Sequence, residues 1–581
     1  MIIRDPLYNY IYLTGVEQKI VDNVLFQRLR HISQNGAAYY TYPSNHSCRF
    51  LHSLGTMEVA GRMVTSILNN SSGEALDYFY IACEDLIKGC SGSAAGAMAP
   101  IVGAEGYAVS EDSLSVYSHY GLEFSILKHE TDRGSDELTE TAMREYAWLV
   151  TFEAVRIAAL LHDLGHFPYS HSLEDAFVEE DGENLAEISN AFARKHKKLE
   201  KVKALHERIG IGLLDVVLPE VNLNSFERVC RMAAKRILCS TGTGDGAAYL
   251  LHTIVASDLD ADRLDYSMRD PRFSGMELGA FDLDRITSNI QIVEDGVWLR
   301  VVPSINALPA VESFYHQRYL VYKYLVYHHG TTRMNELVKR IVHDLALAYV
   351  NGRPESLVCL LRERRFSYLW DHCDDERYFN CTEDWLFSLM CDLRESRKEL
   401  LLGCETSEER GAIEHLLLMV DTFVCRKSSN FITLTKRINL YDELVRRVEA
   451  ELASVMPLQK GIVVEHIIDA CSTQGSRVFD GTKKKHNLDV FVLETKPKTV
   501  FNRDNEVDAM LVCKDGSLAR VTDYSTYLAS LKDCVAGDQQ FHLVLFGKDI
   551  KERVSNNSDR IEAIKHDLVV DLARAVAIQF E

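Results

Sequence analysis

Three histidines and an aspartate fall within the ten residues "HDLGHFPYSH", at His162, Asp163, His166 and His171. They follow an apolar run, "WLVTFEAVRIAALL", whose spacing predicts a buried helix. Imidazole and carboxylate are costly to place beside a core without partners. As a capping and hydrogen-bonding cluster, these groups would need many such partners at once. A metal ion is the alternative. His162 and His166 stand one helical turn apart, as in zinc-binding HExxH sites. Here the second position is Asp163, and Gly165 and Pro168 break the helix at once. The better fit is that His162 and Asp163, adjacent at a helix end, share one metal. Further ligands must then come from elsewhere. "RFLHSLG" offers His52, and "SDLDADRLDYSMRD" offers Asp258, Asp260, Asp262, Asp265 and Asp270. A calcium loop in the second segment fails, because Arg263 stands at the glycine position and Arg269 at the bidentate glutamate position. As a helix, the segment puts Asp262, Tyr266 and Asp270 on one face. The plainest alternative is a solvated helix face with Asp265 and Arg269 as a surface pair.

The elements that must position these groups follow from periodicity. Residues 16–34 and the run from Leu54 to Asn70 have helical spacing, and a turn-rich aromatic segment lies between them. Residues 71–145 contain "GCSGSAAGAMAPIVGAEGYAVS", rich in Gly, Ala and Ser, and read as an insertion or lid. Helical patterning resumes near Glu145 and ends near Leu164. Residues 180–350 are mostly helical, with Tyr315, Tyr319 and Tyr322 on one face, a stripe that most often marks core packing. After "MPLQKG", strands are expected in "LDVFVLETK", "AMLVCKDGSLARVTD" and "FHLVLFG", with Lys514-Asp515-Gly516 as a hairpin turn. Helices are expected near 525–534 and 559–578. The organisation is therefore a helical core over 1–350 with the insertion at about 71–145, a helical extension over 351–455, and a small α+β domain over 456–581.

Composition narrows the class. With 46% hydrophobic and 26% charged residues, the 581-residue chain suits a soluble multi-domain protein. No apolar run is long enough to span a bilayer, and the N-terminus lacks a secretory pattern. Fourteen scattered cysteines read as reduced thiols, so the expected location is the cytoplasm. A net charge of −21 argues against broad nucleic-acid binding but leaves room for a small anion in a basic pocket. A basic C-terminal patch, Lys483 to His486, reads as a solvated loop.

The order His52, His162-Asp163, Asp262 resembles the HD-domain phosphohydrolases. The words "FQRLRHISQ", "RFLHSLG", "HDLGHFPYSH" and "DADRLDYSMRD" are similar to those of the deoxynucleoside triphosphate triphosphohydrolases within that group. The resemblance implies a mainly α-helical HD-domain fold and hydrolysis of a dNTP to deoxynucleoside and tripolyphosphate. His52, His162, Asp163 and Asp262 would hold a divalent transition metal (Mn, Fe or Zn), with Mg accompanying the triphosphate. About four negative charges on the triphosphate require cationic donors, a role implied for Arg49, Arg263 and Arg318. His166 and His171 would face the α-phosphate and leaving group, with Glu174 orienting a histidine and His206 as a further active-site imidazole. For His206, a helical surface position is an equal alternative. Tyr266 would stack on the deoxyribose, and Asp270 and Gln34 would contact the sugar. Asp22 and Arg30 match a pair that reads a nucleotide effector, GTP or dNTP, and a tetramer or hexamer is implied. Phe167 departs from the small residue frequent after the first of these histidines, which puts pocket shape in question. Two other readings stand beside this one. One is an HD phosphodiesterase or nucleotidase acting on other nucleotides or nucleic acid; the other is a nucleotide-sensing regulator without turnover.

Overall fold

The computed structural model describes residues 1–91, 111–124, 140–178, 185–195, 204–296, 298–436, 438–453, 460–494, 501, 509–537, 541–555 and 558–579. The architecture is mainly α-helical, with a few small sheets and a C-terminal α+β portion. The N-terminus forms an antiparallel hairpin, β1 (Ile2–Asp5) with β2 (Asn9–Tyr12). The long helices α1 (Arg49–Asn70) and α2 (Glu140–Leu161) pack on each other at the centre. Both are apolar on nearly every face: residues 146–161 of α2 are all buried. Such a helix can only be interior. Around this pair lie α3 (His171–Val178), α4 (Leu205–Val217), α5 (Ala261–Ser274), α6 (Leu308–Val321) and α7 (His329–Asn351). A hairpin of β3 (Ile290–Asp295) and β4 (Trp298–Pro303) precedes α6, and α8 (Glu383–Glu395) follows α7.

The C-terminal sheet has the order β5 (Phe431–Thr433), β9 (Phe541–Phe546), β6 (Asp489–Glu494), all antiparallel. Between β6 and β9 in sequence, β7 (Met510–Val512) and β8 (Leu518–Arg520) make the expected hairpin, with Gly516 at φ +84° in its turn. The helix α9 (Ser558–Ile578) covers a second apolar cluster.

Several local expectations change. Helix α2 starts at Glu140 and ends at Leu161, so His162 to Gly165 form turns, not a last helical turn. Two pieces of the 71–145 segment, Gly73–Ser91 and Glu111–His119, are helices whose Phe79, Cys83 and Tyr117 are buried. The Gly/Ala/Ser run at 92–110 lies outside the described residues. Lys483 to His486 end a short helix, where Lys485 and His486 pair with Asp567. All fourteen cysteines are free thiols. Among the described residues no helix is long and apolar enough to cross a membrane.

Close approach of α1 and α5 carries the site. A Cβ on Gly55 would sit 1.9 Å from Asp265 Oδ1 and 2.4 Å from Arg269 Nη2. Gly55→Ala is therefore expected to break a buried ion pair, costing about 3 kcal/mol or more of stability; urea denaturation with an unchanged midpoint would refute this. Elsewhere in the core, Glu153 of α2 accepts from Thr14 Oγ1 (2.5 Å) and Tyr117 (3.0 Å). Burial, with Glu17 nearby, pushes its carboxyl up to about 8. Between about pH 4.5 and 8 the native state keeps a proton that the unfolded chain has released, so this group lowers stability as pH rises. Glu153→Gln should flatten that decline between pH 5 and 8, and urea midpoints running parallel to wild type would exclude it.

Candidate active site

Two groups of described residues could hold a metal ion, and the first, His52, His162 and Asp262, draws on two helices and a turn. His52, one turn into α1, meets Asp262, the second residue of α5, with Nε2 to Oδ1 at 2.8 Å. His162 and Asp163 arrive from the turn after α2. His162 Nε2 lies 3.8 Å from Asp262 Oδ1, and Asp163 Oδ2 lies 3.6 Å from His52 Nε2. Despite these short distances, Nε2 of His52 and Nε2 of His162 are buried without a hydrogen bond of acceptable direction. Their other nitrogens are committed: His52 Nδ1 to Asp265 Oδ2 at 2.8 Å, and His162 Nδ1 to the carbonyl of Ala159 at 2.7 Å. Each ring thus has one nitrogen held and one aimed at shared carboxylates, the pattern of metal-ligating imidazoles. His52, His162 and Asp262 form a group that could hold a metal ion, and Asp163 borders it.

Electrostatics follow the geometry. Burial opposes charge on His52, but Asp262 and Asp265 outweigh it and lift its pKa to about 10. Burial likewise opposes the charge of Asp163 and Asp262. For Asp163, the Arg49 guanidinium (2.6 Å) and neighbouring imidazoles hold the carboxyl well below the ordinary range; for Asp262, the two histidines do so.

A second cluster adjoins the first. His166 and His206 stack at 3.9 Å between ring centroids, and His171 stands edge-on to both at 4.9 and 5.2 Å. Glu174, on α3, joins them: Oε2 is 2.7 Å from His206 Nδ1 and 3.5 Å from His171 Nδ1. Burial opposes its charge, but hydrogen bonds from the two histidines depress its carboxyl well below the ordinary value. His206 sits on the inner face of α4, not on a solvated surface. His166 Nε2 is 3.1 Å from Asp163 Oδ1, while its buried Nδ1 has no partner. Burial, then Arg49 and His206, keep His166 neutral by lowering its pKa well below normal.

Both clusters border one cleft of about 1220 Å³. Arg49, Arg263, Tyr266, Asp270, Arg318 and Gln34 line it as well. Arg263 pairs with Asp258 at 3.1 Å, and Arg318 donates from Nε to Tyr266 Oη at 2.9 Å. Burial pushes the Asp270 carboxyl up to about 7, and its Oδ1, like Oε1 of Gln34, is buried without a partner. Phe167 turns away from the cleft into a cage of Phe177, Phe192 and Tyr378. Asp22 and Arg30 stand apart from the cleft: Asp22 accepts from Gln18 at 3.4 Å, and Arg30 lies 3.6 Å over the Phe50 ring.

Sequence reasoning missed two groups here. Asp265, treated there as half of a surface pair, is fully buried and orients His52. Its signal was the i,i+4 pairing with Arg269 on a helix whose opposite end carries a ligand. Tyr322, assigned to a core stripe, lines the cleft beside Arg318, over whose ring Arg318 lies at 5.6 Å.

A helical scaffold with a His-Asp doublet at a helix end defines the HD class, and residues 139–237 match the model of the HD domain. That match spans the turn carrying His162 and Asp163. The chain is 25% identical over 342 residues to an uncharacterized protein of Methanocaldococcus jannaschii, covering 59% of this chain and 49% of that one. It is also similar to proteins named deoxynucleoside triphosphate triphosphohydrolase. One, from Bos taurus, is 41% identical over 66 residues, 11% of each chain. A homologue from Dictyostelium discoideum is 23% identical over 340 residues, 58% of this chain and 48% of its own. The chain spans about half the length of the first curated relatives it matches. Among solved structures, a phosphohydrolase from Bacteroides thetaiotaomicron shares the fold at a TM-score of 0.52 and 16% identity, covering 94% of this chain and 99% of its own.

The Asp265–His52 contact gives a direct check. Asp265→Asn keeps the shape and removes the charge on Nδ1, and should weaken divalent-metal retention about 10- to 100-fold. Metal titration followed by elemental analysis tests this; undiminished affinity in a folded variant would remove His52 from the ligand set.

Proposed function

We propose that the protein hydrolyses deoxynucleoside triphosphates to deoxynucleoside and inorganic tripolyphosphate. What chiefly supports this reading is the convergence, in one cleft, of a metal-capable His/Asp group, an imidazole cluster and three arginines. The short similarity to named triphosphohydrolases supports it independently. The donor set of His52, His162, Asp163 and Asp262 suits Mn, Fe or Zn. Bound there, the ion would polarise a phosphoryl oxygen and lower the pKa of a coordinated water.

The remaining steps fall to side chains. Arg49, Arg263 and Arg318 take the triphosphate, which brings Mg with it, and Arg49 shifts its charge from Asp163 toward the phosphate. His166 and His171 stand at the α-phosphate end and protonate the departing 5′-oxygen, with His206 behind them. Glu174 holds both His171 and His206 through one carboxylate oxygen. The orphaned oxygens of Asp270 and Gln34 receive the sugar hydroxyl, and Tyr266 packs on the deoxyribose. The same reading has a homo-oligomer, tetramer or hexamer, that works in the cytoplasm in dNTP-pool control or defence. Asp22 and Arg30 would contact an effector nucleotide, GTP or dNTP.

Purified protein incubated with each dNTP and NTP, across Mn, Fe, Mg and Zn, should release deoxynucleoside and tripolyphosphate on chromatography. Monophosphate with pyrophosphate would support the phosphodiesterase reading instead, and no turnover would support a sensor. His166→Ala should retain metal but lose turnover at least about 100-fold; loss of both together would place His166 among the ligands.

A further inference from the structure

The segment between α2 and α3 carries His166 and leads directly into His171, the first residue of α3, yet little of it lies in regular structure. Its two residues before His171, Tyr169 and Ser170, have φ of +58° and +55°. Neither is glycine, so both occupy a left-handed region that L side chains disfavour, and such a backbone persists only when neighbours over-determine it. The neighbours here come from outside the matched HD segment. Three successive loop carbonyls are capped. Arg28 donates to Leu164 O at 3.3 Å and also to His166 O, and Tyr378 Oη donates to Gly165 O at 3.4 Å. Arg28 is in turn fixed by Cys381 O at 2.9 Å and by stacking over Tyr378 at 4.2 Å.

Glu383 closes the clamp. It is the first residue of α8, where the helix end favours a negative charge. Its Oε1 accepts from the Tyr169 amide at 2.9 Å, the Ser33 amide at 2.8 Å and the Ser33 hydroxyl at 2.5 Å. Ser33 precedes Gln34, and its carbonyl accepts from Ser170 Oγ at 2.8 Å. Ser170 Oγ receives Arg49 Nε at 3.1 Å, while the bridge between Ser33 and Cys48 leads directly into Arg49. One carboxylate oxygen therefore ties together the strands of chain that present His171, Gln34 and Arg49.

We propose that Glu383 is a positioning residue, which locks the left-handed Tyr169–Ser170 turn and so sets His171, Arg49 and Gln34 around the substrate. In its kinetic consequence this rests on the hydrolysis proposed above; the clamp itself does not. The helical extension is thus a working part of the site, although its residues touch no substrate.

The test compares full-length wild type with Glu383→Ala and Glu383→Gln by amide hydrogen exchange, bound-metal content, thermal melting and nucleotide kinetics. Glu383→Ala is expected to lose protection at Ser33 and Tyr169 alone, with metal content and melting near wild type. Its KM for the best dNTP should rise at least about tenfold, more than kcat falls. Glu383→Gln, whose amide oxygen can still accept, should recover part of both effects. Unchanged exchange at Ser33 and Tyr169 in a folded Glu383→Ala overturns the proposal. So does loss of protection across the whole chain in Glu383→Gln, because the residue would then hold the fold and not the turn. If wild type hydrolyses no nucleotide, the proposed reaction falls while the exchange data still decide on the clamp.

Discussion

The site depends on one buried charge arrangement: His52 against Asp265, and Asp265 against Arg269. His52, Asp265 and Arg269 are all shut off from solvent. An unpaired carboxylate at such a place would cost several kcal/mol, so its lone pairs must all be used. They are. Asp265 Oδ2 takes His52 Nδ1 (2.8 Å) and Arg269 Nε (2.9 Å), while Oδ1 takes Tyr8 Oη (2.7 Å) and Arg269 Nη2 (2.8 Å). Arg269 reaches on to Asp5 Oδ2 at 2.9 Å, in β1. The N-terminal hairpin, the central helix α1 and the ligand helix α5 are joined through this network. Because Nδ1 is committed, Nε2 of His52 can point only toward Asp262 and Asp163. The arrangement also explains Gly55: any side chain there would occupy the space that the Asp265–Arg269 pair fills.

The same device recurs on the other side of the cleft. Glu174 fixes His206 through Nδ1 as Asp265 fixes His52. The free nitrogen of His52 faces carboxylates, so the pocket between them suits a cation. His166, His171 and His206 face one another as well as carboxylates, Asp163 for His166 and Glu174 for the other two, so this group too offers donors that could hold a metal ion. Arg49 beside it adds positive charge that the first group meets only through Asp163.

How much of this was legible beforehand varies with the range of the interaction. Local pattern carried a good deal. The helix break near His162 was legible from Gly165 and Pro168, although it falls at Leu161 and not at Leu164, and the i, i+4, i+8 spacing of Asp262, Tyr266 and Asp270 turns that face to the cleft. Strands β6 to β9 and the Gly516 turn were readable, whereas β5 (Phe431–Thr433), three residues long, lies in the stretch expected to be helical. Pairings between distant segments were not readable. An Asp265–Arg269 pair at i,i+4 looks identical on a solvated and on a buried helix; only Tyr8 and Asp5, some 260 positions away, distinguish the two. His206 could be read equally as an active-site or a surface residue, because its partner Glu174 lies 32 positions before it. The hairpins β1–β2 and β3–β4 are too short to show alternation above background. Phe167 raised a question about pocket shape that its neighbours answer, since Phe177, Phe192 and Tyr378 draw it out of the cleft.

The protonation of His166 is where structure and proposed chemistry meet most sharply. A general acid must carry a proton, yet burial and the nearby Arg49 and His206 keep this imidazole neutral. The proposed substrate's own charge would act against this suppression. Arg49 is held 2.6 Å from Asp163, within a cleft whose walls carry Arg263 and Arg318. On the hydrolysis proposed above, a triphosphate would bring about four negative charges and offset the part of this suppression that comes from Arg49 and His206, while burial continues to oppose the charge. On the same reading, His166 would take up its proton as the anion arrives and hold it for the leaving oxygen, with Asp163 at 3.1 Å as the carboxylate that favours the charged ring.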